Sequence, residues 1–126
     1  MTRVLVDTSV WIDHLHLRDE QLAGLLDVGL VVTHPMVIGE LALGTLRDRS
    51  TVLRLLAQLS PVQTAYAEDV LALVEARRLH GEGLSLVDAH LLASALITGD
   101  VRIWTRDRRL ATVAHDAAVG WQPPPR

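Results

Sequence analysis

Val4-Leu5-Val6-Asp7-Thr8-Ser9 is the stretch that decides how this chain is read. Three apolar residues, two of them β-branched, run straight into a carboxylate flanked by hydroxyls. A buried strand that stops at an acid delivers it to the C-terminal edge of a sheet, where open α/β folds place their ligand sites. The pattern returns near the other end, where Val101-Arg102-Ile103-Trp104 leads into Thr105-Arg106-Asp107. Two further acids, Glu40 and Asp88, sit inside strongly apolar helical stretches. Four carboxylates aimed at one place predict a divalent metal and the chemistry of phosphates.

Outward from the first strand, residues 3–6, the chain alternates. Helical spacing covers 9–17 and 19–28, with Leu22, Leu25 and Leu26 on one stripe, and Gly29 ends it before a second buried strand at 30–32. Pro35 suits the first turn of a helix reaching about residue 46. Val52, Leu55, Leu56 and Leu59 mark an amphipathic helix over 48–59. A helix over 65–79 is closed by Gly81 and Gly83, and 85–98 is helical and almost wholly apolar, hence central. The strand at 101–104, a short helix over 108–114 and an edge strand at 119–121 complete the pattern. Strands separated by helices imply an α/β fold with a mostly parallel sheet of four or five strands covered on both faces. One domain is expected over 1–121, with a Pro-rich flexible tail at 122–126.

Composition bounds the setting. The 126 residues are 49% hydrophobic and 21% charged, enough for a real core. No cysteine is present, which removes disulfides and thiolate metal sites. No apolar run is long enough for a membrane span, and the N-terminus opens into a strand rather than a secretion signal, so a soluble cytoplasmic protein is expected. A net charge of −3 provides no global footprint for nucleic acid, so any such contact must use local arginines and metal. All twelve basic residues are Arg, so mechanisms that need a lysine are excluded.

Each acid also has a plain structural role available. Asp7, Thr8 or Ser9 suits the N-cap of the following helix, and Asp107 suits the cap of the helix after it. Ser85-Leu86-Val87-Asp88 has capping-box spacing, and an acid in the first turn suits the helix dipole, which by itself favours the cap. Glu40 has no such role, being past the first turn of a helix that starts at Pro35. Its neighbours at helical spacing, Met36, Val37, Leu43 and Gly44, predict an apolar face, where an unpaired carboxylate is costly. Either a distant Arg or a metal must meet it, and the metal is favoured.

Six histidines show no paired ligand spacing, and local hydrogen bonds account for them better than zinc or iron. Trp11, Trp104 and Trp121 are scattered singly, as core anchors are. Asp13, Asp19, Glu20 and Asp27 are expected on solvated helix faces, and Asp100 in a turn. Arg106, Arg108 and Arg109 bracket Asp107, placed either to hold RNA phosphates or to solubilise an exposed helix.

Together, VLVDTSVWID at 4–13, IGELALG around Glu40, SLVDAHLLASAL around Asp88 and IWTRDRRL around Asp107 resemble the PIN-domain ribonucleases, above all the VapC toxins of bacterial toxin–antitoxin modules. The resemblance covers essentially the whole chain. It implies a three-layer α/β/α fold with Asp7, Glu40, Asp88 and Asp107 as the acidic quartet, and Thr8, Ser9 and Thr105 as accessory hydroxyls. It also implies Mg²⁺- or Mn²⁺-dependent endoribonuclease activity on tRNA or rRNA that inhibits translation. In that scheme Asp7 and Asp107 are direct ligands, and Asp88 binds directly or through water. Glu40 acts through water or orients the nucleophile. A VapB-type antitoxin is the implied partner, with a homodimer and higher toxin–antitoxin assembly also implied; the apolar faces at 19–28 and 48–59 either supply the antitoxin groove or only face the core.

Other classes fit less well. A receiver-type phospho-acceptor domain uses a lysine, which is missing here. A haloacid-dehalogenase-type phosphatase wants a second Asp two residues after its nucleophile, where this chain has Ser9. A catalytically silent PIN-like interaction domain is the remaining alternative.

Overall fold

The computed structural model describes residues 1–125. Strand β1 (Arg3–Val6) is followed by helices α1 (Thr8–His16) and α2 (Glu20–Asp27), then by β2 (Val31–Thr33). Helices α3 (Pro35–Leu43) and α4 (Arg49–Ala57) lead to β3 (Ser60–Pro61). Helices α5 (Ala67–Ala76) and α6 (Leu86–Thr98) lead to β4 (Val101–Trp104), and α7 (Arg108–Asp116) follows. The strands form one parallel sheet in the order β3-β2-β1-β4.

That order fixes the layers. From β1 the chain steps outward to β2 and then β3, so right-handed crossovers place α1 to α4 on one face. From β3 it returns across the sheet to β4, which places α5 and α6 on the other face. The contacts agree: α1 packs on α3 and α3 on α4, while α5 packs on α6 and α6 on β4. The result is a three-layer α/β/α sandwich whose direction of winding reverses between β1 and β4.

The centre is dry and closely filled. Leu5, Val6 and Val32 of the sheet and Leu91, Leu92 and Ala95 of α6 are fully buried. Residues 89–95 of α6 are buried throughout, as its apolar sequence predicts. Among the described residues, no helix is long and apolar enough to cross a membrane.

The helix expected over 65–79 is shorter, Ala67–Ala76, and three further features differ from expectation. Helix α3 stops at Leu43, because Gly44 takes an extended conformation rather than continuing the turn. Strand β3 was not predicted: two residues are too few to show alternation, and Pro61 argues against a strand except at a sheet edge, which is where it lies. The expected edge strand at 119–121 is a single bridge, with the Ile103 amide donating to Val119 and the Trp121 amide to Ile103. Gly120 fits closely there: a Cβ would lie 3.1 Å from the backbone nitrogen of His115, so a side chain would require that backbone to shift by a few tenths of an ångström. In the expected tail, residues 122–125 have no regular structure and Arg126 lies outside the described residues.

Helix α3 begins on a buried histidine. His34, 2% exposed, accepts the Met36 amide proton at Nδ1 (3.0 Å), which leaves the proton on Nε2. Burial first, and the neighbouring His90 second, lower its pKa from 6.5 to about 4. The unfolded chain therefore binds a proton between these values that the folded chain refuses. The resulting stability is complete above about pH 6.5 and lost as pH falls towards 4, on the order of 3 kcal/mol in all. His34→Asn retains a capping oxygen without the titration. Urea midpoints at pH 7.5 and 4.5 should lie closer together in that variant than in the parent; equal separations would exclude His34 as the source.

Candidate metal centre

Pairing of Val6 with Trp104 sets β1 and β4 so that Asp7 and Thr105 emerge side by side from the sheet, at the point where the winding reverses. Ligand sites of open α/β sheets form at such a switch point. The Asp7 amide donates to the Trp104 carbonyl at 2.9 Å, which locks the two strand ends together. Asp7 is 6% exposed and caps α1, its Oδ1 accepting from the Thr8 amide at 2.8 Å. Its Oδ2 accepts from two hydroxyls, Thr105 at 2.6 Å and Ser9 at 3.1 Å.

Backbone amides aim those hydroxyls. Thr105 Oγ1 accepts from the Asp107 amide at 3.0 Å, and Ser9 Oγ accepts from the Arg106 amide at 3.1 Å. With a donor already on each oxygen, both hydroxyl protons turn to Asp7. The carboxylate is thereby held in one orientation at the sheet edge.

The remaining acids combine capping with free donor capacity. Asp107 caps α7 through Oδ1, which accepts from the Arg109 and Leu110 amides at 2.9 and 3.1 Å. Asp88 and Ser85 form the predicted capping box, with the Ser85 amide donating to Asp88 Oδ2 at 3.0 Å. Among the described residues, the other oxygen of each receives no hydrogen bond. Capping and metal binding are thus compatible for these acids, because each use needs a different oxygen.

Glu40 requires a correction. It is exposed, not buried on an apolar face, and its Oε1 accepts from Thr8 Oγ1 at 2.7 Å. The reason is geometric: Glu40 lies near the end of a helix that stops at Leu43, so its side chain reaches solvent and the start of α1. The two hydroxyls of the Thr8-Ser9 pair divide their work, Thr8 holding Glu40 and Ser9 holding Asp7.

Charge links the group. Burial raises the pKa of Asp88, and the negative charges of Asp7 and Asp107 raise it further, against the opposing pull of the Ser85 amide and hydroxyl. Asp88 therefore stands within electrostatic reach of both strand-end acids. Among the described residues, no three acids or histidines close to joint ligand distance. The donor set nonetheless suits a hard divalent cation: every candidate ligand is a carboxylate oxygen, and the chain has no cysteine to offer a thiolate.

The arginines beside Asp107 differ from one another. Arg106 turns away to pair with Asp13 and Asp19, so those two acids are not simply solvated as expected; they meet a cation from 93 and 87 residues away in sequence. Asp100, expected in a turn, also holds a partner, Arg3, by two bonds of 2.9 Å. Arg109 lies under Gly83: a Cβ there would come within 2.7 Å of Arg109 Cδ and displace that side chain, and the φ of +80° by itself favours glycine. Arg108 and Arg109 are exposed in the first turn of α7.

Fold and acids together define a PIN-type nuclease scaffold, and the comparisons agree. The family model described as PIN domain matches residues 4–116. Ribonuclease VapC32 of Mycobacterium tuberculosis, in strains CDC 1551 and H37Rv, is 47% identical over 116 residues, covering 92% of this chain and 94% of that protein. The chain belongs to the PIN-domain family, among its VapC-type members.

Proposed function

We propose that this chain is the toxin of a type II toxin–antitoxin module, a divalent-metal-dependent endoribonuclease that inhibits translation by cutting tRNA or rRNA. One observation carries the reading: Asp7 is buried at the switch point, where two backbone-aimed hydroxyls orient its carboxylate, and its charge is felt at Asp88. A structural cap needs one accepted amide, not a second oxygen fixed by hydroxyls from both sides. The naming of a relative 47% identical as a ribonuclease supports the same chemistry.

Asp7, Asp88 and Asp107 would hold Mg²⁺ or Mn²⁺, with Glu40 acting through water. Such an ion supplies charge neutralisation at the scissile phosphate and a more acidic water. The chain's own groups do the rest. Thr105 and Ser9 keep Asp7 in one orientation, and such outer partners are commonly worth 10- to 100-fold. Glu40, fixed by Thr8 and open to solvent, is placed to orient an attacking water. Arg108 and Arg109 are placed to meet RNA phosphates.

Purified protein incubated with total RNA should cleave it in Mn²⁺ or Mg²⁺ and stop on chelation. Sequencing of RNA 5′ ends after induction without antitoxin then reports the site. Intact RNA in both experiments would favour a silent interaction domain.

The antitoxin has an apolar seat. Trp11, Leu15, Leu26, Val52, Leu55 and Leu59 line a cleft of about 490 Å³ between α1, α2 and α4. A second cleft shares Leu15 and Val52 and extends to Glu40. Ile12, Leu15 and Leu55 are exposed beside them. The leucine stripes of α2 and α4 thus serve both core and surface: Leu22 and Leu56 are buried while Leu55 faces out. We assign this groove to a VapB-type partner and its far end to the acids.

A further inference from the structure

Arg106 works in two directions from the three-residue loop that joins β4 to α7. Its amide donates to Ser9 Oγ, one hydrogen bond from Asp7 Oδ2. Its guanidinium reaches away, donating from Nη2 to Asp19 Oδ2 at 2.6 Å and from Nη1 to Asp13, and lying 5.8 Å from the Trp104 ring centroid. Asp13 stands one turn beyond Ser9 on α1. Asp19 is the N-cap of α2, and its other oxygen accepts from the Leu22 amide at 3.0 Å. One side chain therefore fastens the loop bearing Thr105 and Asp107 to two separate points of the helical layer.

We propose that Arg106 is a positioning residue for the metal centre: by bridging Asp13 and Asp19 it holds the Thr105–Asp107 loop against α1 and sets the spacing between Asp7 and Asp107. This rests on the metal-dependent nuclease reading above. The planar fork of arginine suits the task, since it reaches two carboxylates at fixed angles where a lysine offers a point charge. The same engagement argues against a phosphate contact, because RNA would have to displace two carboxylates to reach the guanidinium. The side chains of Arg106 and Asp13 are 38% and 57% exposed, so this pair adds little to global stability. Its effect falls on where the loop sits.

The test is calorimetric titration of Mn²⁺ into RNA-free protein, with KM and kcat for a model RNA measured alongside. In Arg106→Gln the Mn²⁺ affinity should fall about tenfold, as for outer-sphere partners of metal ligands, with KM for RNA unchanged at saturating Mn²⁺. The double variant Asp13→Asn/Asp19→Asn should fall equally, asparagine retaining the capping oxygen at position 19, and adding Arg106→Gln should bring no further loss. Arg106→Lys should lie between. If Arg106→Gln does not fold, the double variant carries the same expectation. Unchanged Mn²⁺ affinity in these variants overturns the proposal, and a raised KM with weaker salt dependence would make Arg106 an RNA contact instead. Failure of the parent protein to bind Mn²⁺ saturably overturns the metal centre itself, and this proposal with it.

Discussion

Asp7→Asn should lower metal-dependent RNA cleavage at least about 1000-fold, the equivalent of roughly 4 kcal/mol of transition-state stabilisation. It should do so without unfolding the protein. Asparagine retains an oxygen for the Thr8 amide, so the cap of α1 survives. The amide nitrogen that replaces Oδ2 meets the Thr105 and Ser9 hydroxyls, whose oxygens are able to accept once their protons rotate away. One negative charge also leaves a cluster in which Asp88 already experiences Asp7 and Asp107 as repulsive neighbours. The melting temperature in chelator is therefore expected to equal or exceed that of the parent. A variant that loses activity because it melts early would make Asp7 a structural cap and remove the main support for the nuclease reading.

Saturating Mn²⁺ should stabilise the parent protein. A cation that binds only the folded chain stabilises it by an amount set by its concentration over Kd, about 2.7 kcal/mol at a hundredfold excess. For a chain of this length that is a rise of about 10 °C in melting temperature. The rise should vanish in Asp7→Asn, and should be absent with a monovalent salt at equal ionic strength. No shift at millimolar Mn²⁺ would count against the acidic quartet, because carboxylates that repel one another are a local cost without a cation and not with one.

Local pattern made the strand-end acids legible. Asp7 and Asp107 each follow an apolar run and precede a helix, so the sequence pointed both to the sheet edge, and the β1–β4 register sets the two strand ends side by side. Asp88 was legible twice over, as a capping box and as an acid facing the others, and the structure contains the capping box together with the mutual repulsion. Glu40 was picked out on an expectation of burial that the structure reverses. Nothing local indicates that Thr8, 32 residues away, supplies its partner. The Arg106 bridge was invisible for the same reason, since two surface acids on early helices resemble any solvated pair until the fold returns a cation to them. Strand β3 escaped because its two residues owe their pairing to the neighbouring strand, not to their own propensity.

The borders of the sheet bear on how this chain meets others of its kind. On one side lies β3, where the Val62 amide turns inward to Thr33, so by alternation the outward position falls to Pro61, which has no N–H. On the other side a single bridge at Gly120 is followed by Pro123, Pro124 and Pro125. At the β3 border an added strand would meet an imino acid where it needs a donor. Growth by strand addition, the route to fibres and runaway aggregates, is disfavoured on that side. Association with a partner there is left to helix faces and side chains, where it can be reversed.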